Sequence, residues 1–308
     1  MSYEIFDITD VEIDQPEQLG TKSKFWYDGV NGGTYLFKSI KTIDKFGGEI
    51  YRYGEDWAEK IACELAGILE IPHAQYELAT HNGVQGVITK NFIVGKGERL
   101  STGNELIEKI NAFIPTSSDS VQRLSRVFLI MEKIIKKKPI GFNGLDGIKT
   151  ASDFFVGYLL LDALISNQDR HVENWGMIET NKGTTHLAPS FDHAASLGRN
   201  ENDIKREKRL NSKDKGYSIE QYVLKAQSHF YDSNNKRLKI LQAFNNSARI
   251  NPKAARNWLL RLKGVESDMI RYIIDEVPTE RMSTVAKDFS FNLIICNKKN
   301  LLELLDTF

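Results

Sequence analysis

Cysteine is scarce in this chain, and that scarcity is the first of several absences that narrow its class. Only Cys63 and Cys296 occur, each in an apolar context (KIACELAGIL and FNLIICNK). Two such thiols read as buried, reduced side chains in a reducing compartment. Neither a C-x-x-C pair nor an H-E-x-x-H stretch is present, so nothing points to zinc. No run approaches the roughly twenty apolar residues that a membrane span needs. The opening residues, MSYEIFDITDVEID, are acidic and lack the apolar core of a secretory leader. A cytoplasmic protein without a membrane partner is the expectation. Excess charge is missing too, since 41 Lys and Arg stand against 41 Asp and Glu. A strongly basic surface is therefore not implied, and direct nucleic-acid binding is not expected. Internal repeats and low-complexity segments are absent. What remains is 308 residues, 41% hydrophobic and 27% charged, enough for one or two globular domains with a substantial core.

Chemistry concentrates between residues 154 and 198. An apolar run from Phe154 to Ile165 breaks abruptly into Asn167-Gln168-Asp169-Arg170-His171, and Asn174 lies five residues after Asp169. A strand-like piece (Trp175 to Ile178), a turn at Asn181-Lys182-Gly183 and a second piece (His186 to Phe191) lead to Asp192. An Asp, an Asn and a second Asp are thus hung on a helix end and a β-hairpin. Phosphoryl transfer from ATP asks for that set. One carboxylate accepts or orients the proton of the attacking hydroxyl, while an amide oxygen and another carboxylate hold Mg²⁺ on the phosphates. In protein kinases the catalytic-loop Asp and Asn have this spacing, and a second metal Asp follows. The plainer reading is that Asp169 or Asn174 caps a helix or forms a turn, because short motifs recur by chance. Joined to Asp192 and the N-terminal features, the motif favours the kinase.

Gln18 to Lys24 reads as a loop entering the strand-like Phe25-Trp26-Tyr27. The turn Asp28 to Gly33 then feeds Thr34 to Lys38, which makes a β-hairpin. Lys38 ends a mostly apolar strand, as the nucleotide-anchoring lysine of a kinase does; the alternative is a solvent-facing edge lysine. Residues 41–54 read as a connecting loop. Asp56 reads as an N-cap with Glu59 three residues on, a capping box that opens a helix bearing Trp57, Ile61, Leu65, Ile68 and Leu69. Strand-like runs follow at Ala74 to Ala79 and Val84 to Ile88. Thr89 to Ile93, with Lys90 and Phe92, takes the place of an interlobe hinge. His73 and His81 read as surface and turn histidines. Thr116 to Ser120 reads as a cap before a helix from Val121, with a phosphosite as the alternative. Lys136-Lys137-Lys138-Pro139 reads as a charged helix end. From Asn202 to Lys215, six Lys and Arg meet three Asp and Glu. That run is first a solvated loop, and second a basic surface near a phosphoacceptor. Lys236 to Phe244, Pro252 to Lys263, Glu266 to Asp275 and Ala286 to Phe308 read as helices, and none of them shows readable chemistry.

Asn167-Gln168-Asp169-Arg170-His171-Val172-Glu173-Asn174, followed by Leu187-Ala188-Pro189-Ser190-Phe191-Asp192 and Ser196-Leu197, resembles the C-terminal signature of the HipA-like kinases. These are bacterial serine/threonine kinases of toxin–antitoxin systems. The resemblance implies an α+β, bilobal protein-kinase-like fold. A small β-rich N-lobe with one main helix would cover residues 1–92, and a larger, mostly helical C-lobe residues 93–308. It implies ATP and Mg²⁺ as cofactors, Asp169 as the catalytic residue, and Asn174 and Asp192 as metal ligands. Lys38 would anchor the phosphates, with Gly20, Thr21, Lys22, Ser23 and Lys24 covering them. That loop has one glycine and departs from both G-x-G-x-x-G and Walker A. Glu59 falls where the family has an acidic residue, so pairing with Lys38 competes with its capping role. Arg170 and His171 would organise the loop, and Lys90 and Phe92 would lie near the adenine. Thr21 and Ser23 are candidates for autophosphorylation. The implied partners are a protein substrate, in this family a translation component such as an aminoacyl-tRNA synthetase, and an antitoxin. Delivery into another cell stays open. Full-length toxins carry roughly a hundred further N-terminal residues, the size of a small domain, so this sequence resembles the short, kinase-only HipT-type branch. Two rivals are a lipid or small-molecule kinase and a kinase-fold binding module.

Overall fold

Alternating aromatic and aliphatic residues before position 91 assemble a curved sheet around which the smaller lobe is built. The computed structural model describes residues 2–16, 22–29, 32–44, 46–113 and 122–308. In the first part of the chain the elements are β1 (Ile5–Asp7), β2 (Ile13–Pro16), β3 (Lys22–Asp28), β4 (Thr34–Ile43), β5 (Glu49–Tyr51), α1 (Glu55–Ile68), β6 (Tyr76–His81) and β7 (Val84–Lys90). Among the described residues they form a seven-stranded sheet, ordered β1-β6-β7-β4-β3-β2 with β5 paired to β4. One face buries Phe25, Tyr27 and Phe37 against Ile8, Ala79 and Ile88. Strand alternation then turns Lys38, the neighbour of Phe37, to the opposite face. On β7, Gly86, opposite Ser39, has no room for a side chain, since a Cβ there would strike the Lys38 carbonyl and the Phe37 ring.

Three expectations for this lobe need correction. Residues 41–54 are not a loop, because β4 continues to Ile43 and β5 pairs back on it with Lys41 opposite Tyr51. Ile43, Ile50 and Tyr51 are exposed there and the buried Thr42 is polar, so this hairpin has no apolar alternation to announce it in the sequence. The helix cap is Gly54, at φ 88° and without a side-chain bond, rather than Asp56. Asp56 is buried in the first turn and binds Arg281 instead. His73 is buried, with Nδ1 2.7 Å from the Ile71 carbonyl.

The larger lobe continues with β8 (Arg99–Thr102), α2 (Gly103–Phe113), α3 (Leu124–Lys133), α4 (Ala151–Ile165), β9 (Gly176–Glu179) and β10 (Thr185–Leu187). It ends with α5 (Asp203–Leu210), α6 (Ile219–Lys225), β11 (Gln227–Tyr231), β12 (Arg237–Lys239), α7 (Ile240–Ile250), α8 (Pro252–Lys263), α9 (Ser267–Asp275) and α10 (Thr284–Leu302). Helix α4 is the axis of this lobe. All its residues except Ser152 and Asp153 are buried, and α1, α3, α7, α8 and α10 pack around it. A helix apolar all round has no solvent face, which is why it reads as an unbroken apolar run. Thr150 and Asp153 close its N-terminus in a reciprocal capping box.

Four further expectations change here. Helix α3 starts at Leu124, and the expected cap at Thr116 to Ser120 lies outside the described residues. It stops at Lys133, so Lys136 to Lys138 are not its end; Lys137 instead bridges to His186. The charged run from Asn202 contains helix α5, capped by the Asn202 side chain accepting from the Lys205 amide. The segment from Lys236 begins as β12 before α7 starts. Cys63 and Cys296 are free thiols, and burial pushes Cys63 up to about 12. Among the described residues no helix is long and apolar enough to cross a membrane.

Arg281, which follows α9, fastens the rear of the larger lobe to the sheet. It donates to Asp56 Oδ2 at 3.0 Å, to the Ala79 carbonyl at 2.9 Å and to Thr80 Oγ1 at 2.6 Å. Burial raises the Asp56 carboxyl pKa against the opposing pull of Arg281.

Candidate active site

Helix α4 ends at Ser166, which takes left-handed backbone at φ 53° and turns the chain sharply into the loop that bears Asp169. One turn back from that end, Asp162 is buried and anchors the loop. Its carboxylate accepts from Arg170 through both Nε and Nη2, and from Asn167 Nδ2 at 2.8 Å. Arg170, itself 2% exposed, also donates to the Asn174 carbonyl at 3.0 Å and to Ser190 Oγ at 2.9 Å. A bidentate, buried guanidinium of this kind fixes orientation as well as charge. The loop is fastened on its other side by Gln122, which donates to the Arg170 carbonyl and accepts from the Trp175 indole, each at 3.0 Å. Trp175 in turn lies against Gly103, where a Cβ would collide with its ring.

This frame leaves Asp169 half exposed. Asn174 Nδ2 donates to the Asp169 carbonyl at 2.6 Å, which turns the amide oxygen the other way. His229 Nε2, from β11, stands 3.4 Å from Asp169 Oδ1, and His171 Nε2 stands 4.0 Å from the same atom. His171 also accepts from the Glu173 amide through Nδ1, at 3.1 Å.

The hairpin β9–β10 delivers Asp192 to the sheet. Asp192 has left-handed backbone, φ 58°, a conformation that Asp and Asn tolerate better than other side-chain-bearing residues. Its amide donates to Tyr76 Oη at 3.3 Å, and its carboxylate lies 3.6 Å from Lys38 Nζ. Lys38 also donates to Tyr76 Oη at 3.3 Å and lies 3.9 Å from Glu59 Oε1. Burial pulls the Lys38 pKa down, but Asp192 and Glu59 outweigh it and hold the ammonium above its usual value. Burial, reinforced by Glu59 and Asp192, raises the Tyr76 phenol well above its own. Glu59 accepts from the His193 amide as well, so the structure decides its competing assignments in favour of Lys38.

Two groups of residues are thereby gathered, Asp169 with Asn174 and Lys38 with Glu59 and Asp192. Ser190 joins them, since its Oγ meets Arg170 on one side and His193 Nε2 at 2.7 Å on the other. Burial and the nearby Arg170 push the His193 pKa far down, which keeps the ring neutral. Phe92 packs on Phe191 with ring centroids 5.7 Å apart, immediately before Asp192. Lys90 is exposed at the end of β7 with its side chain beside Gly33, outside both groups. Lys24 pairs in register with Lys38 across β3 and β4. Lys22 and Ser23 contribute backbone to β3, so the expected loop is partly strand, while Gly20 and Thr21 lie outside the described residues.

The donor set can be tested against a divalent cation. Among the described residues no cage of three His, Cys, Asp or Glu is gathered. A magnesium ion on a nucleotide does not need one, since it keeps waters and takes phosphate oxygens. The carboxylate of Asp192 and the amide oxygen of Asn174 are the hard donors it prefers, so they fit.

His229 and Tyr76 were not legible as site residues. His229 lies sixty residues beyond Asp169 in a short strand with no motif around it. Tyr76 opens a strand of mixed polarity, where a tyrosine is ordinary.

Comparison with solved structures settles the architecture. The crystal structure of a Helicobacter pylori proinflammatory kinase, CtkA, matches with a TM-score of 0.76 at 21% identity, over 99% of this chain and 97% of that one. The chain has a bilobal, kinase-like α+β fold. Shewanella oneidensis HipA, solved with HipB and its operator DNA, matches this kinase-like chain with a TM-score of 0.54 at 14% identity, over 99% of this chain and 70% of that one. In sequence, the serine/threonine-protein kinase CtkA of Helicobacter pylori is 24% identical over 261 residues, which is 82% of this chain and 72% of that protein. No protein-family model matches the chain.

Proposed function

We propose that this chain is an ATP- and Mg²⁺-dependent serine/threonine protein kinase of the HipA-like kind. The observation that carries the proposal is Lys38 Nζ set between Glu59 at 3.9 Å and Asp192 at 3.6 Å, on a frame shared with the Asp169 loop. In a kinase-like fold, that is the arrangement of a phosphate-anchoring lysine, its helix glutamate and a metal-binding aspartate.

In this reading Asp169 orients the acceptor hydroxyl and takes its proton. His229 and His171 flank its carboxylate and limit its rotation. Lys38 neutralises phosphate charge, and Asn174 and Asp192 are the residues that would hold magnesium. When bound, that ion offsets charge on the phosphate oxygens. Gly20 to Lys24 would lie over the phosphates, with Thr21 and Ser23 as self-phosphorylation positions, and the backbone from Lys90 to Phe92 would meet the adenine. We put the lobe boundary near residue 92, a reading supported by β7 ending the first sheet and β8 pairing with β9 in another. As part of the same proposal, the resemblance of the Asn167–Asn174 and Leu187–Asp192 motifs to the HipA-like kinases suggests a cytoplasmic toxin role with an antitoxin partner and a translation component, such as an aminoacyl-tRNA synthetase, as substrate.

Incubating the purified chain with Mg²⁺ and γ-labelled ATP should place label on serine or threonine, of itself or of an added protein. Label on a lipid or sugar alone would overturn the protein-kinase reading, and intact ATP would leave a binding module. Lys38→Ala should lower the labelling rate roughly a hundredfold or more, the scale of losing one preorganised charge contact. Unchanged turnover would remove Lys38 from the phosphate site.

A further inference from the structure

Next to the catalytic loop lies a cavity of about 200 Å³ that the reaction described above does not use. Its wall includes Arg209, Tyr217, Tyr222, Lys225 and Gln168, the residue before Asp169. That wall holds two cations and no carboxylate. The Arg209 guanidinium lies 4.3 Å from the Tyr217 ring centroid and 5.1 Å from that of Tyr222, so the two rings hold the fork in place. Arg209 is mostly buried, and its ion pair with Glu201 at 3.3 Å runs through Nε, leaving the two terminal nitrogens to other acceptors. Lys225 is exposed at the end of α6.

Position points the same way. In the surrounding sequence Lys205, Lys208, Lys213 and Lys215 are balanced by Asp203, Glu207, Asp214 and Glu220, so the positive character is that of the wall itself. Asp214 is partly engaged already, since its Oδ1 accepts from the Gly216 amide at 2.7 Å. The cavity is also tied to Asp169 from two directions. Gln168 adjoins Asp169 in sequence and accepts from the Gln227 amide at 3.4 Å, and α6 passes through Ala226 directly into the strand that carries His229. A polypeptide presenting a hydroxyl to Asp169 would therefore place a neighbouring side chain here. One guanidinium, partly neutralised by Glu201, and one ammonium suit a single negative charge better than the double charge of a phosphate.

We propose that this cavity is an acceptor subsite for the carboxylate of an Asp or Glu flanking the phosphorylated serine or threonine of a protein substrate. The proposal rests on the kinase reading and gives it a substrate class, acidic acceptor sequences. The charged run from Asn202 to Lys215 then supplies basic surface beside the acceptor site.

The test titrates fluorescent serine peptides flanked by Glu, Gln, Lys or phosphoserine onto the full chain, and assays the same peptides with Mg-ATP. Glu peptides should bind roughly tenfold more tightly than Gln peptides, the scale of one charge-assisted contact. Arg209→Gln and Lys225→Gln should each bring that ratio toward one, and Lys225→Glu should move the preference toward Lys peptides. Lys263→Gln, an exposed change at the end of α8, should leave the ratio as it was. Equal binding of Glu and Gln peptides, or a Glu preference that survives both Arg209→Gln and Lys225→Gln, overturns the subsite. Tighter binding of phosphoserine peptides overturns the carboxylate assignment. Labelling without preference rejects the subsite and keeps the kinase; preference without labelling rejects the kinase and keeps a peptide-binding pocket.

Discussion

Asp192→Asn and Asn174→Ala should each reduce phosphoryl transfer to below about a thousandth of the starting rate while the fold stays intact. At Asp192, asparagine also accepts the left-handed backbone at φ 58°. The substitution thus removes a charge and little else. That charge faces Lys38 at 3.6 Å and is partly open to solvent, so its loss leaves the core untouched. Asn174→Ala acts twice, since it removes a hard oxygen donor and frees the Asp169 carbonyl that Nδ2 binds at 2.6 Å. Circular dichroism together with labelled ATP checks both variants. A normally folded Asp192→Asn protein with full activity would sink the metal assignment.

Arg170→Leu should cost about 3–5 kcal/mol of stability, read as the loss in urea unfolding free energy. Its partner Asp162 would stay buried as an uncompensated carboxylate, because the two side chains are only 2% and 4% exposed. Arg170→Leu combined with Asp162→Leu should recover much of that loss, as apolar replacement of a whole buried pair often does. Activity should not return in the double variant, because the guanidinium also holds the Asn174 carbonyl and Ser190 Oγ in place. A single substitution costing less than about 1 kcal/mol would mean that water reaches Asp162 and that the pair is not the loop's anchor.

The parts of this fold that were readable from the chain are those whose pattern comes from burial. Helix α4 announces itself because it has no solvent face, and the β3–β4 hairpin because aromatics alternate around a glycine turn. Asp169, Asn174 and Asp192 were legible as a spacing, since a loop and a hairpin of fixed length carry them. Glu59 was ambiguous because a capping glutamate and a buried partner of Lys38 look alike until Gly54 is seen to occupy the cap. Helix α5 was hidden by its charge, having only Arg206 buried among its eight residues. His229 was unreadable for a different reason: its meeting with Asp169 depends on β11 folding back across the lobe, a long-range event with no local trace.

Arg281 has a consequence for how nucleotide could enter and leave. Any hinge motion that parted the sheet from the rear helices would pull its guanidinium off Asp56, Ala79 and Thr80. It would also strand two charges where water does not reach, at a cost of several kcal/mol. Helix α1 and strand β6 must then travel with the helices behind them. Movement that admits nucleotide then falls to the parts of the sheet that Arg281 does not hold, a lifting flap more than an opening jaw.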